Sequence, residues 1–244
     1  MSSWIAFQAI LLKDMKTYYL KPPNISWGLI FPFAWMLMFY LRSQTPLDIR
    51  DLLPGVISMS ILFGTTSMLA VTITFERRSR SFERLLLAPL ELSILMLAKT
   101  GGAILFGMFN AFVPVLVAAF IVDLSGVGWP AVIGSILLIA ATSTFLGLFI
   151  SVAVHEVFEA QTFSNFFRFP MLFLCGLFIP INALPVFLKP LSFALPLTYG
   201  ADILKMAINS DGILPLWVSF PILLLFASGL FLFSLSNIRR KWVL

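Results

Sequence analysis

The sequence predicts an all-α polytopic membrane protein with six transmembrane helices. Of its 244 residues, 60% are hydrophobic and 11% are charged, whereas a soluble domain is typically about 45–50% apolar. Six apolar segments are near the length of roughly 20 helical residues that crosses a hydrocarbon core of about 30 Å. Basic residues lie at the ends of these segments, as topology determinants do. This placement argues against nucleic-acid binding in spite of the net charge of +5.

These segments form one transmembrane domain that covers residues 1–244. The predicted transmembrane helices are residues 25–41, 52–74, 93–122, 130–154, 166–181 and 213–236. The fourth carries a stripe of small residues that lets helices approach closely in lipid, namely Ala140, Thr144, Gly147 and Ser151. We therefore expect the fourth helix to pack tightly against a neighbour.

Residues 3–20 precede these spans and have aromatic and apolar residues at three-to-four spacing, followed by lysines. This pattern is typical of a helix that lies flat in the membrane interface. The alternative is a first transmembrane span. Lys13 and Lys16 argue against it, because each would cost about 2.5–3.5 kcal/mol at the bilayer centre.

The distribution of lysine and arginine predicts the orientation. Of the 16 basic residues, 12 fall on one side of the predicted membrane: Lys13, Lys16, Lys21, Arg77, Arg78, Arg80, Arg84, Lys99, Arg168, Arg239, Arg240 and Lys241. The other side has Arg42, Arg50, Lys189 and Lys205. By the positive-inside rule the first side is cytoplasmic. Both termini are then cytoplasmic, which agrees with six crossings.

The densest group of charges is the loop at residues 75–92, which holds seven of the chain's 27 charged residues. Apolar residues recur there at positions i, i+3, i+4 and i+7, namely Phe82, Leu85, Leu86 and Pro89. This spacing predicts a short amphipathic helix at about residues 79–90. Such a helix either rests at the interface or docks in a groove of a partner.

The segment at residues 182–212 is too polar to cross the membrane, yet it is as apolar as a protein core. Pro185, Pro190 and Pro196 divide it into two short helical pieces, at residues 184–193 and 197–209. We interpret these pieces as a re-entrant hairpin on the outer side, which is stable at membrane depth only where protein or water satisfies its backbone. The alternative is a pair of surface helices.

Several kinds of chemistry are disfavoured by the sequence. No predicted span has a carboxylate near its centre, which argues against coupling to an ion gradient. His155 is the only histidine and lies beside Glu156 and Glu159; this trio is the one candidate metal or catalytic group, and we interpret it as a solvated turn. The chain also lacks the phosphate loop G-x-x-x-x-G-K-[ST].

Two stretches resemble those of a known family. They are the charged loop FERRSRSFERLLLAPL and the later stretch FPMLFLCGLFIPINALPVFLKPLSFALPLTYGADILK. Both are similar to segments of the membrane subunits of ABC exporters of the ABC-2 type, and the resemblance covers nearly the whole chain. One departure is that Arg80-Ser81 stands where many members have Gly-Thr.

The resemblance implies roles for both stretches. The first is the family's coupling helix, which sits in a cleft of the ATP-binding subunit, and its expected contact residues are Glu76, Arg77, Arg78, Arg80, Phe82, Glu83, Arg84, Leu85 and Pro89. The second forms an outer gate with Phe178, Pro180, Pro185, Pro196, Tyr199 and Asp202. Apolar residues expected along the substrate pathway are Met59, Phe63, Phe166, Phe169 and Phe173.

The resemblance also implies a function. We expect a permease in the inner (plasma) membrane of a prokaryote that exports a drug, a lipid or a lipid-linked saccharide, held by apolar and aromatic contacts rather than by ion pairs. Its expected partners are two copies of a separate ATPase, which bind ATP and Mg, a second copy of this permease or a related one, and membrane lipid. The chain itself is expected to bind no cofactor and no metal. A passive channel and a lipid-modifying membrane enzyme are the alternatives.

Overall fold

The computed structural model describes residues 3–42 and 48–243, and within these ranges it contains helices and no β-strand. The α-helices are α1 (Ser3–Asp14), α2 (Pro22–Arg42), α3 (Ile49–Arg78), α4 (Ser81–Leu86), α5 (Leu92–Ala119), α6 (Trp129–Ala153), α7 (Val157–Leu174), α8 (Lys189–Phe193), α9 (Pro196–Asn209) and α10 (Leu216–Ile238). Turns of π-helix extend α1 (Met15–Tyr19) and α10 (Arg239–Val243), and a 3-10 turn (Ile181–Ala183) lies before α8.

Four helices in the described ranges are long and apolar enough to cross a membrane, namely α3, α5, α6 and α10. The apolar stretch of α2 is shorter and covers Asn24–Met38. Helix α7 has 18 residues, and its first half is polar. The all-helical membrane class is therefore confirmed, while the count of six spans stays a prediction. The middle of the predicted outer loop after the first span, residues 43–47, lies outside the described residues.

Helix α3 occupies the centre of the bundle and is almost wholly buried. It packs against α2, α5, α6, α7 and α9. Its interior is rich in serine and threonine, whose hydroxyls donate hydrogen bonds to backbone carbonyls one turn earlier: Ser58 to Pro54, Thr65 to Ile61 and Thr74 to Ala70, at 2.8–2.9 Å. These three hydroxyls are thus satisfied within the helix, whereas those of Ser60 and Thr66 are buried without a partner among the described residues.

The small-residue stripe of α6 faces α3, and its four residues are all buried. At Gly147 the approach is so close that a Cβ atom would lie 2.3 Å from the carbonyl oxygen of Thr66. The prediction of close packing by this stripe is confirmed. It lets α6 pack closely against α3 without large side chains at the point of closest approach.

Two predicted boundaries differ from the structure. Helix α7 begins at Val157, not at Phe166, because a capping box formed by Glu156 and Glu159 starts a helix inside the predicted polar loop. It ends at Leu174, since Gly176 adopts a positive φ of 76°. The predicted span 166–181 is thus helical only in its first half.

The charged loop also differs from its prediction. Helix α3 continues through Arg78, and α4 covers only six residues, whereas the sequence predicted a helix at about 79–90. Arg80 separates the two helices with a left-handed φ of 56°. The first helical piece of the outer segment is likewise shorter than predicted, because the chain is irregular until α8 begins at Lys189.

Candidate functional site

Helix α4 lies at one end of the bundle, beside the start of α7 and the C-terminal turn. Its apolar face points inward: Phe82 is fully buried, and its ring meets the ring of Trp242 edge-on at a centroid distance of 5.2 Å. Leu85 and Leu86 pack on the same cluster. We call this end of the molecule the α4 end. The amphipathic spacing in the sequence thus predicted three residues of the anchored face correctly, whereas the fourth, Pro89, lies beyond the end of α4 and is exposed.

The opposite face of this segment is exposed and carries both charge and apolar surface. Glu83, Arg84 and Pro89 are exposed, and Leu87 is 86% exposed. Together with the exposed Arg80 they form a surface that we call the α4 surface. This surface combines charged and apolar side chains and is suited to a groove in another protein.

Behind the α4 surface lies a cluster of buried charges, formed by Asp14, Glu76 and Lys99 with Lys13 at its edge. The first three side chains have no exposed area. The Lys99 ammonium contacts the Glu76 carboxylate and lies 2.9 Å from Asp14 Oδ2. Lys13 donates a hydrogen bond of 2.6 Å to Glu76 Oε1. We call this group the charge cluster; its two positive and two negative charges compensate each other.

The charge cluster connects α1, α3 and α5, which supply Asp14, Glu76 and Lys99 in that order. Partial burial lowers the pKa of Lys13, but its hydrogen bond to Glu76 and the charge of Asp14 outweigh this effect, so that the pKa of Lys13 is raised. The ammonium therefore stays charged at neutral pH. Buried ion pairs therefore hold three helices together.

Sequence reasoning placed Glu76 in the partner-contact set and missed this cluster. One signal was available: Asp14 follows Ala6 and Ile10 at intervals of four residues, which puts a carboxylate on the buried face of α1. Lys99 likewise lies inside the predicted third span, six residues from its start. A buried acid and a buried base in neighbouring segments need each other, because an unpaired charge at that depth is expensive.

Arg77 and Arg78 extend from the last turn of α3 toward other elements of the α4 end. The Arg77 guanidinium lies 4.1 Å from the ring centroid of Trp242, a cation–π contact. Arg78 forms an ion pair with Glu156 at the start of α7. Both residues were predicted to contact a partner, and the structure places them between elements of this chain.

The trio of His155, Glu156 and Glu159 forms a helix cap. The Glu159 carboxylate accepts hydrogen bonds from the backbone amides of His155 at 2.9 Å and of Glu156 at 3.2 Å. These bonds hold the pKa of Glu159 below its usual value. Among the described residues no group of three His, Cys, Asp or Glu side chains is arranged to hold a metal ion. The trio therefore has a structural explanation.

At the opposite end of the bundle, which we call the hairpin end, α9 is buried between α3, α6 and α10. Its first residue is Pro196, where the missing amide leaves no donor unsatisfied. Tyr199 donates a hydrogen bond of 2.8 Å to the carbonyl of Phe193. Asp202 accepts from the amides of Ile213 at 2.6 Å and Leu214 at 3.1 Å, and also from a serine hydroxyl of α10.

Helix α9 enters the bundle to a considerable depth. A Cβ atom on Gly200 would lie 2.4 Å from the side chain of Ile139, which is ten residues from the start of α6. At 1.5 Å per residue this position is about 15 Å along the axis of α6. Helix α9 ends near the start of α3, where Asn209 donates to Asp51 at 3.2 Å. The helix thus rises from the interior to the end of the bundle.

The predicted gate residues therefore separate into two groups. Pro196, Tyr199 and Asp202 are buried in the bundle, whereas Pro180 and Pro185 are exposed on the segment between α7 and α8. Phe178 is partly buried. The segment 182–212 thus contains one buried helix, α9, and the short helix α8, which follows an exposed loop. A surface pair of helices does not describe this arrangement.

Comparison with known proteins identifies the family of this chain. The profile of the ABC-2 type transporter family matches residues 5–209, which include the elements from α1 to α9. This chain belongs to the ABC-2 type transporter family. It is 23% identical to the inner membrane transport permease YadH of Escherichia coli K12 over 97% of this chain and 96% of that protein. It is also 25% identical to the probable multidrug ABC transporter permease YbhR of the same organism, over 72% of this chain and 48% of that protein.

In this ABC-2 permease the predicted pathway residues do not form one continuous lining. Met59 and Phe63 are buried in a small cluster with Leu172. Phe166 is 69% exposed, and Phe169 and Phe173 are exposed to a smaller extent. Phe63 and Phe169 line a common cavity between α2, α3 and α7, while Met59, Phe166 and Phe173 do not.

Proposed function

We propose that this chain is the membrane-spanning subunit of an ATP-driven exporter in the inner membrane of a prokaryote. Its substrate is hydrophobic or amphipathic, and a separate ATPase subunit supplies the energy. Family membership supports the role of a permease, as do relatives named transport permeases, one of them an inner membrane protein. The sequence has no phosphate loop of the type G-x-x-x-x-G-K-[ST], which supports an ATPase on another polypeptide.

The α4 surface is the observation that carries this proposal. One face of α4 is fixed to the bundle through Phe82, while Glu83, Arg84 and Leu87 project from the other face. An exposed leucine flanked by charges of both signs is typical of a docking surface with an apolar centre and a polar rim. The ATPase subunit is the proposed occupant, and contact residues from the predicted set are Arg80, Glu83, Arg84 and Pro89.

The charge cluster provides a route for movement from the α4 surface. Helix α4 follows the last turn of α3 and precedes α5, and Glu76 and Lys99 join these two spans just behind it. A displacement of α4 by the ATPase would therefore move α3 and α5 together. Because α3 packs against most other helices of the bundle, it would transmit that movement widely.

The hairpin end is the proposed outer gate. Helix α9 contacts α3 directly, so that movement of α3 reaches it. The exposed residues Pro180 and Pro185 flank it on the outer side. A complete transporter would contain two permease chains and two ATPase subunits, because one chain of this size is too small to enclose a wide pathway alone.

A charge reversal at Glu83 tests the docking of the ATPase. Glu83→Lys changes an exposed side chain, so that the fold should be retained, while contact with the partner should be lost. We expect the tagged variant, purified from its native membranes in a mild detergent, to carry at least about tenfold less ATP hydrolysis per permease, as is typical when an interface charge pair is replaced by repulsion.

Asp211→Lys is the matched control, because Asp211 is exposed at the hairpin end and undergoes the same change of charge. It should retain the co-purified ATPase. If Glu83→Lys retains it equally well, the α4 surface is not where the ATPase binds. If both variants lose it, net charge and not the docking surface is responsible.

A further inference from the structure

A cavity of about 650 Å³ lies between α2, α3 and α7. Its size is in the range of about 300–1,000 Å³ that is usual for sites of small molecules. Aromatic rings form much of its wall, contributed by Phe31, Trp35, Phe63 and Phe169. Amide groups line its other part, including Asn24 and Gln161. We call it the Arg168 cavity, after the one charged residue among those that line it in the described parts of the chain.

Arg168 was expected at a segment end, yet it is only 3% exposed. Its Nη1 donates a hydrogen bond of 3.4 Å to Asn165, and its guanidinium lies 4.7 Å from the ring centroid of Phe63. The Nε and Nη2 atoms have no acceptor among the described residues. No carboxylate of the described ranges forms an ion pair with Arg168.

This combination is costly unless it serves a ligand. The charge cluster shows how the same bundle treats buried charges elsewhere, since each buried base there faces a carboxylate. The Nε–Nη2 edge of the Arg168 guanidinium instead has no partner in the part of the chain that the structure describes. That edge presents two parallel N–H donors, the geometry that binds a carboxylate or phosphate through two oxygens.

The position of the cavity fits a route for an amphipathic molecule. Asn24 and Gln161 lie near the starts of α2 and α7, at the α4 end. Arg168 is eleven residues into α7 from Val157, which is about 17 Å along the helix axis. An ionisable residue at such depth in a membrane protein marks a functional site by default. The cavity thus leads from the proposed cytoplasmic side toward the middle of the bundle.

We propose that the Arg168 cavity binds the anionic group of an amphipathic substrate, with an apolar chain along the aromatic wall. Because Nε and Nη2 are buried and inaccessible to water, the guanidinium must rotate to present this edge to a phosphate or carboxylate in the cavity. This assignment rests on the proposed transport function and narrows its substrate to amphipathic anions. It differs from the expectation of apolar contacts alone, because the deciding contact is an ion pair. A second copy of the chain that supplies an acid to Arg168 is the competing occupant.

Binding to the purified full-length chain in a neutral maltoside detergent tests this assignment. The probes are lysophosphatidic acid, a monoacylglycerol of the same chain length, and inorganic phosphate. Ligands that bind the folded state raise the unfolding temperature in proportion to their affinity. We expect stabilisation by lysophosphatidic acid alone, because the site needs both the anion and the chain.

Arg168→Gln should weaken the apparent affinity for lysophosphatidic acid by about tenfold or more, as expected for loss of a charged hydrogen-bond donor. Arg168→Lys keeps the positive charge without the paired donors, so its affinity for lysophosphatidic acid should fall by less than that of Arg168→Gln. Lys16→Gln is the matched control: it removes an exposed charge near the same end and should leave affinity unchanged. The unliganded Arg168→Gln chain should unfold at the same or a higher temperature, because it no longer buries an unpaired charge, and this readout separates lost binding from misfolding.

Equal binding of the monoacylglycerol, or equal affinity in Arg168→Gln, would overturn the proposal. So would stabilisation by inorganic phosphate to the same extent, since the site would then hold a free anion. A change of oligomeric state in Arg168→Gln, with affinity unchanged, would assign the residue to the second copy instead. None of these measurements involves the ATPase, so that their failure is distinct from failure of the Glu83→Lys test.

Discussion

The two ends of this bundle are held together in different ways. At the α4 end, the fully buried charged side chains contact one another: Asp14, Glu76 and Lys99 join three helices. At the hairpin end, charged side chains contact backbone. Arg50 donates to the carbonyl of Ile208 at 2.8 Å, and Asp202 accepts from two amides.

The reason for this difference is the regularity of the backbone. A complete helix leaves no free amide or carbonyl along its length, so links between helices are made by side chains. The hairpin end consists of short helices and loops, whose unpaired backbone groups must be satisfied wherever they are buried. Charged side chains there replace missing backbone partners, as Lys205 does for the carbonyl of Gly176. We expect the α4 end to move as a unit and the hairpin end to rearrange by exchanging single hydrogen bonds.

The largest expected effect comes from removing the central base of the charge cluster. Lys99→Met leaves two buried carboxylates facing each other, with only Lys13 to compensate. We expect the free energy of unfolding to fall by about 3–5 kcal/mol, the usual effect of breaking a buried ion pair. Unfolding in mixed maltoside and SDS micelles, followed by tryptophan fluorescence, measures this change.

A double variant makes that test specific. Lys99→Met with Glu76→Gln restores equal numbers of positive and negative charges, and it should recover most of the lost stability, whereas the exposed Lys16→Met should have almost no effect. Failure of Glu76→Gln to rescue Lys99→Met would mean that α3 and α5 are not joined by this pair.

An intermediate effect is expected at the hairpin end. Asp202→Asn keeps the shape of the side chain, but its amide group cannot accept a hydrogen bond from Leu214 or from the serine of α10. The free energy of unfolding should fall by about 2 kcal/mol, as for the loss of a hydrogen bond to a charged group. The same micelle titration applies, with the exposed Asp211→Asn as control. If Asp202→Asn lowered the free energy of unfolding by more than Lys99→Met does, the hairpin end and not the α4 end would depend more strongly on its charged side chains.

The smallest expected effect is a gain of stability at Arg80, which joins α3 and α4 with a φ of 56°. A left-handed conformation costs an ordinary residue about 1–2 kcal/mol, while glycine adopts it freely but loses about 0.5–1 kcal/mol through its flexible unfolded state. Arg80→Gly should therefore stabilise the chain by less than about 1 kcal/mol. Arg80→Val should destabilise it, because a branched side chain disfavours this conformation. A loss of stability in Arg80→Gly would show that the Arg80 side chain matters more than its backbone.

Arg80 also shows how far the resemblance in the sequence could be taken. The resemblance implies a glycine at this position, which is consistent with the positive φ that the chain adopts there. Most of the apolar face of α4, with the exception of Pro89, followed from its spacing. The length of α4 did not follow from the sequence. A helix ends where the backbone leaves the helical conformation, and the sequence of this chain alone does not mark that position.

The partners within the cavity and the charge cluster could not be predicted, even where a single buried charge such as Asp14 could, because each site joins residues far apart in the chain. Lys99 and Glu76 are 23 residues apart, and Lys99 and Asp14 are 85 apart. Arg168 was counted as a topology determinant, since a basic residue near the start of a predicted span usually is one. Only the start of α7 at Val157 places it inside the bundle.

By itself the sequence determined which segments are apolar enough for a membrane, where the charged loop lies, and where prolines interrupt the outer segment. Only the tertiary structure decided which helix is central. The apolar stretches of α3 and α10 have similar mean hydropathies of 1.8 and 2.2. Yet 89% of this stretch is buried in α3 and only 22% in α10. Lipid is as apolar as a protein core, so hydropathy cannot distinguish the two surroundings; small and hydroxyl-bearing residues that pack closely can. The same limit applies to buried charges, whose partners are set by the packing of helices and not by their order in the chain.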